Sequence, residues 1–162
     1  MTNCPRATDA SLASLAGGAN RKQLRCLGLG NTPAVSEAGL VQLAAGCPSL
    51  TLLALNRCPG VTDGALEAIA THCTQLRNLD LSRADEFTEQ GLLAVARGCK
   101  NLEQLVIEGC ELDDLLTAEA ALAVSAMPSL RCLYVGQEAV LCDVWSNLSE
   151  AAQQTLRRVL QE

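Results

Sequence analysis

The sequence contains very few aromatic and histidine residues and no long apolar run. It has one Phe, one Tyr, one Trp and one His among 162 residues. A Ser-His-Asp or Cys-His catalytic arrangement would have to include His72, and no nucleophile motif accompanies that residue. No apolar run reaches the roughly 18–20 residues that span a bilayer, and the N-terminus lacks the apolar segment of a secretion signal. These absences argue against an enzyme, a membrane protein and a secreted protein.

Cysteine is frequent, but its spacing does not suit a metal site or a disulfide framework. There are nine cysteines and no Cys-x-x-Cys pair, and an odd number of thiols cannot pair completely. Cys47, Cys73 and Cys99 recur at one constant spacing, and a free cysteine packs like a small apolar residue. We therefore predict that these three thiols are reduced, buried and structural. Such thiols indicate an intracellular protein of the cytoplasm or nucleus, without a metal or other cofactor.

The charge balance is acidic. The net charge of −6 disfavours binding to nucleic-acid phosphates, and we expect the basic residues to form no stripe. Residues 101–130 contain no Lys or Arg, whereas six acidic residues fall among them, including Asp113 and Asp114. Three interpretations stay open for this stretch: a solvated acidic loop, a site for a basic patch on a protein partner, and a divalent-cation site.

A constant period organises most of the chain. Leu24, Leu50, Leu76 and Leu102 are evenly spaced, and Leu130 follows after a slightly longer interval. Each opens a segment with apolar residues at relative positions 1, 4 and 6. This pattern, repeated every roughly 20–29 residues, is the signature of a leucine-rich repeat. One such unit cannot bury its apolar face alone, so neighbouring units must stack. The pattern predicts five strands, starting near residues 24, 50, 76, 102 and 130.

A second pattern lies between the predicted strands. In the segment that starts at Thr62-Asp63, the Thr hydroxyl suits a helix N-cap and the acidic residue suits the positive end of the helix dipole. Apolar residues such as Leu66 and Ile69 then recur three and four apart, giving one buried stripe on a short helix. Related segments start at Thr8, Ser36 and Thr88. Each unit is therefore predicted to contain one strand, one loop and one helix.

These residues resemble the cysteine-containing leucine-rich repeat, the subtype found in F-box/leucine-rich-repeat proteins. In that subtype the helix ends in a Cys three residues before the strand leucine, as Cys47, Cys73 and Cys99 do here. A second family position, eight residues after the first leucine, holds Cys58 and Cys110 in two units. The resemblance covers residues 8–135.

The resemblance implies an α/β leucine-rich-repeat solenoid shaped as a curved horseshoe segment. Parallel strands would line its concave face and short helices its convex face. We expect a single domain over residues 1–162, with a C-terminal cap over residues 139–162 that includes Trp145. F-box proteins carry a separate helical module before their repeats, and only seven residues precede Thr8, so we expect no F-box here. The first helix has no strand before it, which leaves that edge for a missing domain or a neighbouring subunit.

The implied function is protein recognition. By resemblance, the chain would recognise substrates or partners in a ubiquitin-ligase-type system; the alternative is a structural scaffold subunit of a large intracellular assembly. Alternate side chains of a strand point to opposite faces, so residues between the core leucines would line the concave sheet. Tyr134 is the only aromatic residue among them, and Tyr is a favoured interface anchor. The predicted contact residues are Leu52, Asn78, Asp80, Gln104, Val106, Glu108, Asp113, Asp114 and Tyr134.

Overall fold

The computed structural model describes residues 4–110, 118–135 and 138–141. Helices and strands alternate along these residues, and a short 3-10 helix (Arg21–Gln23) precedes the first strand. The helices are α1 (Asp9–Gly17), α2 (Glu37–Gly46), α3 (Asp63–His72), α4 (Glu89–Gly98) and α5 (Ala118–Ser125). The strands are β1 (Cys26–Gly28), β2 (Leu52–Ala54), β3 (Asn78–Asp80), β4 (Gln104–Ile107), β5 (Cys132–Val135) and β6 (Glu138–Leu141).

The strands form one sheet in the order in which they occur in the chain. Strands β1 to β5 pair in parallel, each with the next, and the register aligns the second apolar residue of every unit. The aligned residues are Leu27, Leu53, Leu79, Leu105 and Leu133. The predicted α/β class, with its five parallel strands, is therefore confirmed.

Strand β6 was not predicted from the sequence. It pairs antiparallel with β5 and places Ala139 opposite Tyr134. Residues 139–141 of the C-terminal cap predicted over residues 139–162 lie in this strand. The remainder of that cap, including Trp145 and the helix expected after Ser149, lies outside the described residues.

The helices begin where the capping pattern places them. Helices α1 to α4 start one residue after Thr8, Ser36, Thr62 and Thr88 respectively. Each helix packs against the next one along the chain. This arrangement brings the same positions of consecutive units side by side.

The core lies between the sheet and the helices. Within β2, Leu53 is 1% exposed, whereas its neighbour Leu52 is 38% exposed. Leu66 and Ile69 of α3 belong to the same buried cluster as Leu53. One face of the sheet is therefore packed against the helices and the other is open to solvent.

The predicted cysteine column is confirmed as part of this core. Cys47, Cys73 and Cys99 are fully buried and their thiols are free, and Cys58 and Cys110 are buried as well. Each of the three directly follows the last residue of its helix.

The first unit is less well buried than the second. Leu24 and Leu27 are partly exposed, whereas Leu50 and Leu53 at the same positions of the next unit are fully buried. Leu15 of α1 is 38% exposed. The edge of the sheet at β1 therefore shows apolar surface that the inner units cover. Among the described helices, none is long and apolar enough to cross a membrane.

Candidate interaction surface

A tight turn follows each of the strands β1 to β4. One residue of each turn has a left-handed backbone conformation. These residues are Asn31 (φ 56°), Arg57 (54°), Arg83 (55°) and Gly109 (70°). Left-handed backbone costs a non-glycine residue about 1–2 kcal/mol. The amide N–H groups of Asn31, Arg57 and Arg83 donate to the carbonyls of Asn56, Ser82 and Glu108 in the next unit, over N···O distances of 2.8, 2.9 and 2.9 Å. These bonds continue the register of the sheet beyond the strands.

Carboxylates at the helix starts connect each helix to the next one. Asp63 Oδ1 accepts hydrogen bonds from the Thr88 N–H (2.8 Å) and the Gly91 N–H (2.9 Å), and its Oδ2 accepts one from the Thr88 hydroxyl (2.7 Å). Asp9 accepts from the N–H and the hydroxyl of Ser36 in the same way, at 2.8 and 2.6 Å. We call this series of contacts the cap ladder; its third member joins Glu37 to the Thr62 hydroxyl over 2.6 Å.

The cap ladder changes the role predicted for these residues. The hydroxyls of Thr62 and Thr88 cap their own helices as expected, accepting from the N–H groups of Ala65 and Gln90. The same expectation is wrong for Ser36, whose hydroxyl makes no cap bond to its own helix and donates to Asp9 instead. The two Ser36 hydrogen bonds also lower the pKa of the Asp9 carboxyl. The ladder therefore joins the starts of consecutive helices, from α1 to α4.

The solvent-facing side of the sheet carries two rows of side chains in register. The first row is Cys26, Leu52, Asn78, Gln104 and Cys132, and the second is Gly28, Ala54, Asp80, Val106 and Tyr134. In the first row, the Asn78 side-chain amide donates to Gln104 Oε1 over 2.7 Å. The structure thus brings together Leu52, Asn78, Asp80, Gln104, Val106 and Tyr134, as predicted.

Three other predicted contact residues have different outcomes. Glu108 directly follows β4 and is exposed, beside the second row. Asp113 and Asp114 lie outside the described residues, so the acidic loop stays a prediction. Within the rows, Asp80 is already engaged, because its Oδ1 accepts hydrogen bonds from both the N–H and the hydroxyl of Ser82.

A further row lies at the amino ends of the strands. Backbone N–H to carbonyl bonds of 2.7, 2.8, 2.8 and 2.8 Å join Arg25, Thr51, Arg77, Glu103 and Arg131 in that order. Arg77 Nη1 lies 2.6 Å from Glu103 Oε1. Arg25, Arg77 and Arg131 are all exposed. We call these five residues the basic edge.

The expectation that the basic residues form no stripe is wrong at this edge. Consecutive arginines of the edge are separated by two whole units of the sequence, so no local window contains two of them. The signal was nevertheless present, because each is the residue directly after a strand-opening leucine. Because the strands pair in parallel register, the three arginines, which are far apart in the sequence, lie in one row in the structure.

The side chains with reactive potential include the core thiols and the single histidine, His72. Burial raises the pKa of Cys73 to about 12 and that of Cys99 to about 11, so both thiols are protonated and unreactive at neutral pH. His72 is exposed in the last turn of α3. Over the described ranges, no group of three His, Cys, Asp or Glu side chains is placed to hold a metal ion.

An open cleft of about 390 Å³ lies beyond the carboxyl ends of β2 and β3. Its lining includes Arg57, Arg83, Asp85 and Glu86, so charges of both signs face it. The sequence did not single out this cleft.

No known family model matches the chain, and a search of curated proteins finds no match.

Proposed function

We propose that the chain is a leucine-rich-repeat solenoid of the cysteine-containing subtype and that it binds another protein through the open face of its sheet. The solenoid assignment is supported by strands that recur at a constant spacing from β1 to β4 and pair in parallel, each with the next. Buried cysteines before three successive strands support the subtype.

The observation that carries the binding function is the two-sided character of the sheet. Its inner side is a continuous apolar core, while its open side mixes the exposed Leu52 with half-buried polar and aromatic side chains such as Gln104 and Tyr134. Protein-binding surfaces combine apolar anchors with polar groups in this way, and Tyr is favoured at their centre. Because the strands pair in parallel register, such side chains lie next to one another across the sheet, and no additional loop is needed to form the surface.

The proposed role includes neither catalysis nor a cofactor. It is supported by the protonated Cys73 and Cys99 thiols and by the exposed position of the single histidine, His72. Free thiols buried in the core also favour a reducing, intracellular compartment. By the resemblance to F-box/leucine-rich-repeat proteins, the bound protein would be a regulated substrate or partner in a ubiquitin-ligase-type system.

A scaffold role in a large assembly is the second candidate, and the partly exposed leucines of α1 and around β1 favour it. Leu15, Leu24 and Leu27 would be buried if a neighbouring subunit packed against this end of the sheet. Affinity purification of the native protein with mass spectrometry separates the two roles. A partner recovered in sub-stoichiometric, salt-reversible amounts supports recognition, and a fixed stoichiometry through high salt supports the scaffold.

Substitution of Tyr134 tests the proposed face. Tyr134→Ala should weaken binding of the recovered partner by about 2 kcal/mol, because truncating a central aromatic anchor removes contact area. The measurement is the Kd by titration calorimetry. Glu67→Arg on the exposed side of α3 is the control and should leave the Kd unchanged. Binding that survives Tyr134→Ala and is lost in Glu67→Arg would place the contact on the helices instead.

A further inference from the structure

Positive charge is concentrated at one end of the strands. Besides Arg25, Arg77 and Arg131 of the basic edge, three more basic residues lie four or five residues before strands β1 and β4: Arg21, Lys22 and Lys100. Among the described residues of this edge, Glu103 is the single carboxylate. At the opposite ends of the strands, the carboxylates outnumber the basic residues Arg57 and Arg83: they are Asp80, Asp85, Glu86 and Glu108. A chain with a net charge of −6 therefore presents a basic flank along its open sheet face.

Interaction with helix carboxyl ends explains only part of this charge. Lys100 Nζ donates to the Ala96 carbonyl in the last turn of α4, over 3.2 Å, which is a common way to satisfy a helix end. Arg25, Arg77 and Arg131 instead lie one residue before their strands, well past the helices. In the part of the chain that the structure describes, Arg25 and Arg131 form no ion pair, whereas Arg77 pairs with Glu103.

The ion pair between Arg77 and Glu103 shows how a carboxylate can bind an arginine of the basic edge. Glu103 Oε1 lies 2.6 Å from Arg77 Nη1, a charge-assisted contact of the short kind. Neighbouring strands are about 4.8 Å apart, so successive arginines of the edge, which lie two strands apart, are separated by about 10 Å. Carboxylates seven residues apart on an α-helix have a similar separation, about 10.5 Å.

We propose that the basic edge binds the acidic flank of a partner helix lying across the strands, with its apolar side on Leu52. This inference rests on the proposed function and specifies the partner: an amphipathic helix with acidic residues seven positions apart beside an apolar stripe. Leu52 lies in the row next to the basic edge, between Cys26 and Asn78, and at 38% exposure it offers the apolar contact. A nucleic acid fits less well, because the rest of the acidic chain repels a phosphate backbone.

The test uses the full chain and two labelled synthetic peptides. Both are amphipathic helices with a leucine stripe; one carries Glu at positions seven apart, and the other carries Gln at those positions. Fluorescence anisotropy at low salt should give a Kd about tenfold lower for the Glu peptide, since each exposed ion pair adds a modest amount. This preference should shrink as salt is added. Equal affinities, or no binding of either peptide, would overturn the inference.

Charge-reversal variants locate the contact. Arg25→Glu and Arg131→Glu should each remove most of the preference for the Glu peptide, whereas Arg6→Glu, the same charge change outside the basic edge, should preserve it. Arg25→Gln is the milder variant if Arg25→Glu does not fold, and thermal unfolding monitors this. If Arg6→Glu lost the preference for the Glu peptide to the same extent, the preference would depend on net charge alone, and the assignment to the basic edge would be contradicted. A single-stranded DNA oligonucleotide that competes as well as the Glu peptide would also overturn it.

Failure here can be separated from failure of the proposed function. If the recovered native partner still depends on Tyr134 but is unaffected by Arg25→Glu and Arg131→Glu, the sheet face binds protein and the basic edge does not take part. If neither Tyr134 nor the arginines matter, the proposed face itself is wrong.

Discussion

At the level of single residues, the carboxylate that opens a helix serves two helices. Asp63 lies in the first turn of α3, where its charge suits the dipole of that helix. Its oxygens accept hydrogen bonds from Thr88 and Gly91 at the start of α4. These backbone N–H groups have no partner inside their own helix, so Asp63 supplies what the helix itself cannot.

Removing this carboxylate should weaken the junction between α3 and α4. We expect Asp63→Ala to lower the free energy of unfolding by about 1–2 kcal/mol, as loss of a helix cap does. Urea titration followed by circular dichroism measures the change. Glu67→Ala, an exposed carboxylate of the same helix, should change stability by less than about 0.5 kcal/mol. Equal effects of the two substitutions would show that the ladder contact contributes little.

The surroundings of Cys73 keep its thiol protonated. Burial is the main cause that raises its pKa to about 12, and the nearby thiols of Cys99 and Cys47 add to the effect. An uncharged thiol packs here as an apolar group, whereas a charged group would lose its hydration without a partner.

The effect of a Cys73 substitution on stability should therefore depend strongly on the polarity of the new side chain. Cys73→Ala should cost about 1–3 kcal/mol for the small cavity it leaves. Cys73→Asp should prevent the middle units from folding, which circular dichroism would register. In the unsubstituted protein, a maleimide should label exposed Cys4 and Cys26 rapidly and Cys73 slowly. Rapid labelling of all the thiols in native buffer would contradict the buried assignment.

At the level of elements, a glycine at the end of a helix sets how closely two helices approach. A Cβ at Gly98 would overlap the carbonyl oxygen and the Cβ of Ala70 on α3, and Gly46 meets Ala16 of α1 in a similar way. At the last residue of α1, Gly17, the space is open. Gly98 therefore has a packing role that Gly17 lacks.

Alanine at these two glycines makes a matched pair. Gly98→Ala should destabilise the protein by about 1–3 kcal/mol, because α4 must move away from α3 to admit the methyl group. Gly17→Ala should be neutral or stabilising by up to about 1 kcal/mol, since Ala restricts the unfolded chain more than Gly does. Thermal unfolding of both variants gives the comparison, and a stable Gly98→Ala protein would show that the helices can separate without loss.

The elements that the sequence predicts are those whose signal lies within a single unit. Apolar residues at relative positions 1, 4 and 6 placed β1 to β5, and capping residues placed α1 to α4, because each pattern fits within about a dozen consecutive positions. The cap ladder and the basic edge were missed, since each joins residues about one unit apart. Strand β6 was missed because its residues carry no repeat pattern. The open face was found because side-chain alternation within a strand is local.

At the level of the whole molecule, the buried thiols should make the folded protein less stable as the pH becomes alkaline. An unfolded thiol has a pKa near the ordinary value of 9.0, while the native pKa is about 12 for Cys73 and about 11 for Cys99. Between these values the unfolded chain has released protons that the native protein still holds. The stabilising contribution is therefore complete below pH 9 and is lost as the pH rises toward 11–12.

We expect the free energy of unfolding to decrease between about pH 9 and pH 10.5, by at most about 1.4 kcal/mol per pH unit for each thiol. Denaturant titrations at several pH values under reducing conditions measure this slope. The variant Cys73→Ala/Cys99→Ala should show a shallower slope over the same interval, because its remaining titrating groups are unchanged. An identical slope in the variant would assign the effect to other residues.

The cap ladder also bears on how such a chain can change in length. Its contacts span 25–28 residues, so each joint involves adjacent units only. Loss of residues 62–87, one full period, would connect Val61 to Thr88 and offer Glu37 the Thr88 hydroxyl in place of that of Thr62. Duplication of the same block would add an equivalent joint. Gene rearrangements that respect the period can therefore lengthen or shorten the sheet without requiring compensating substitutions, so the width of the open face is free to evolve.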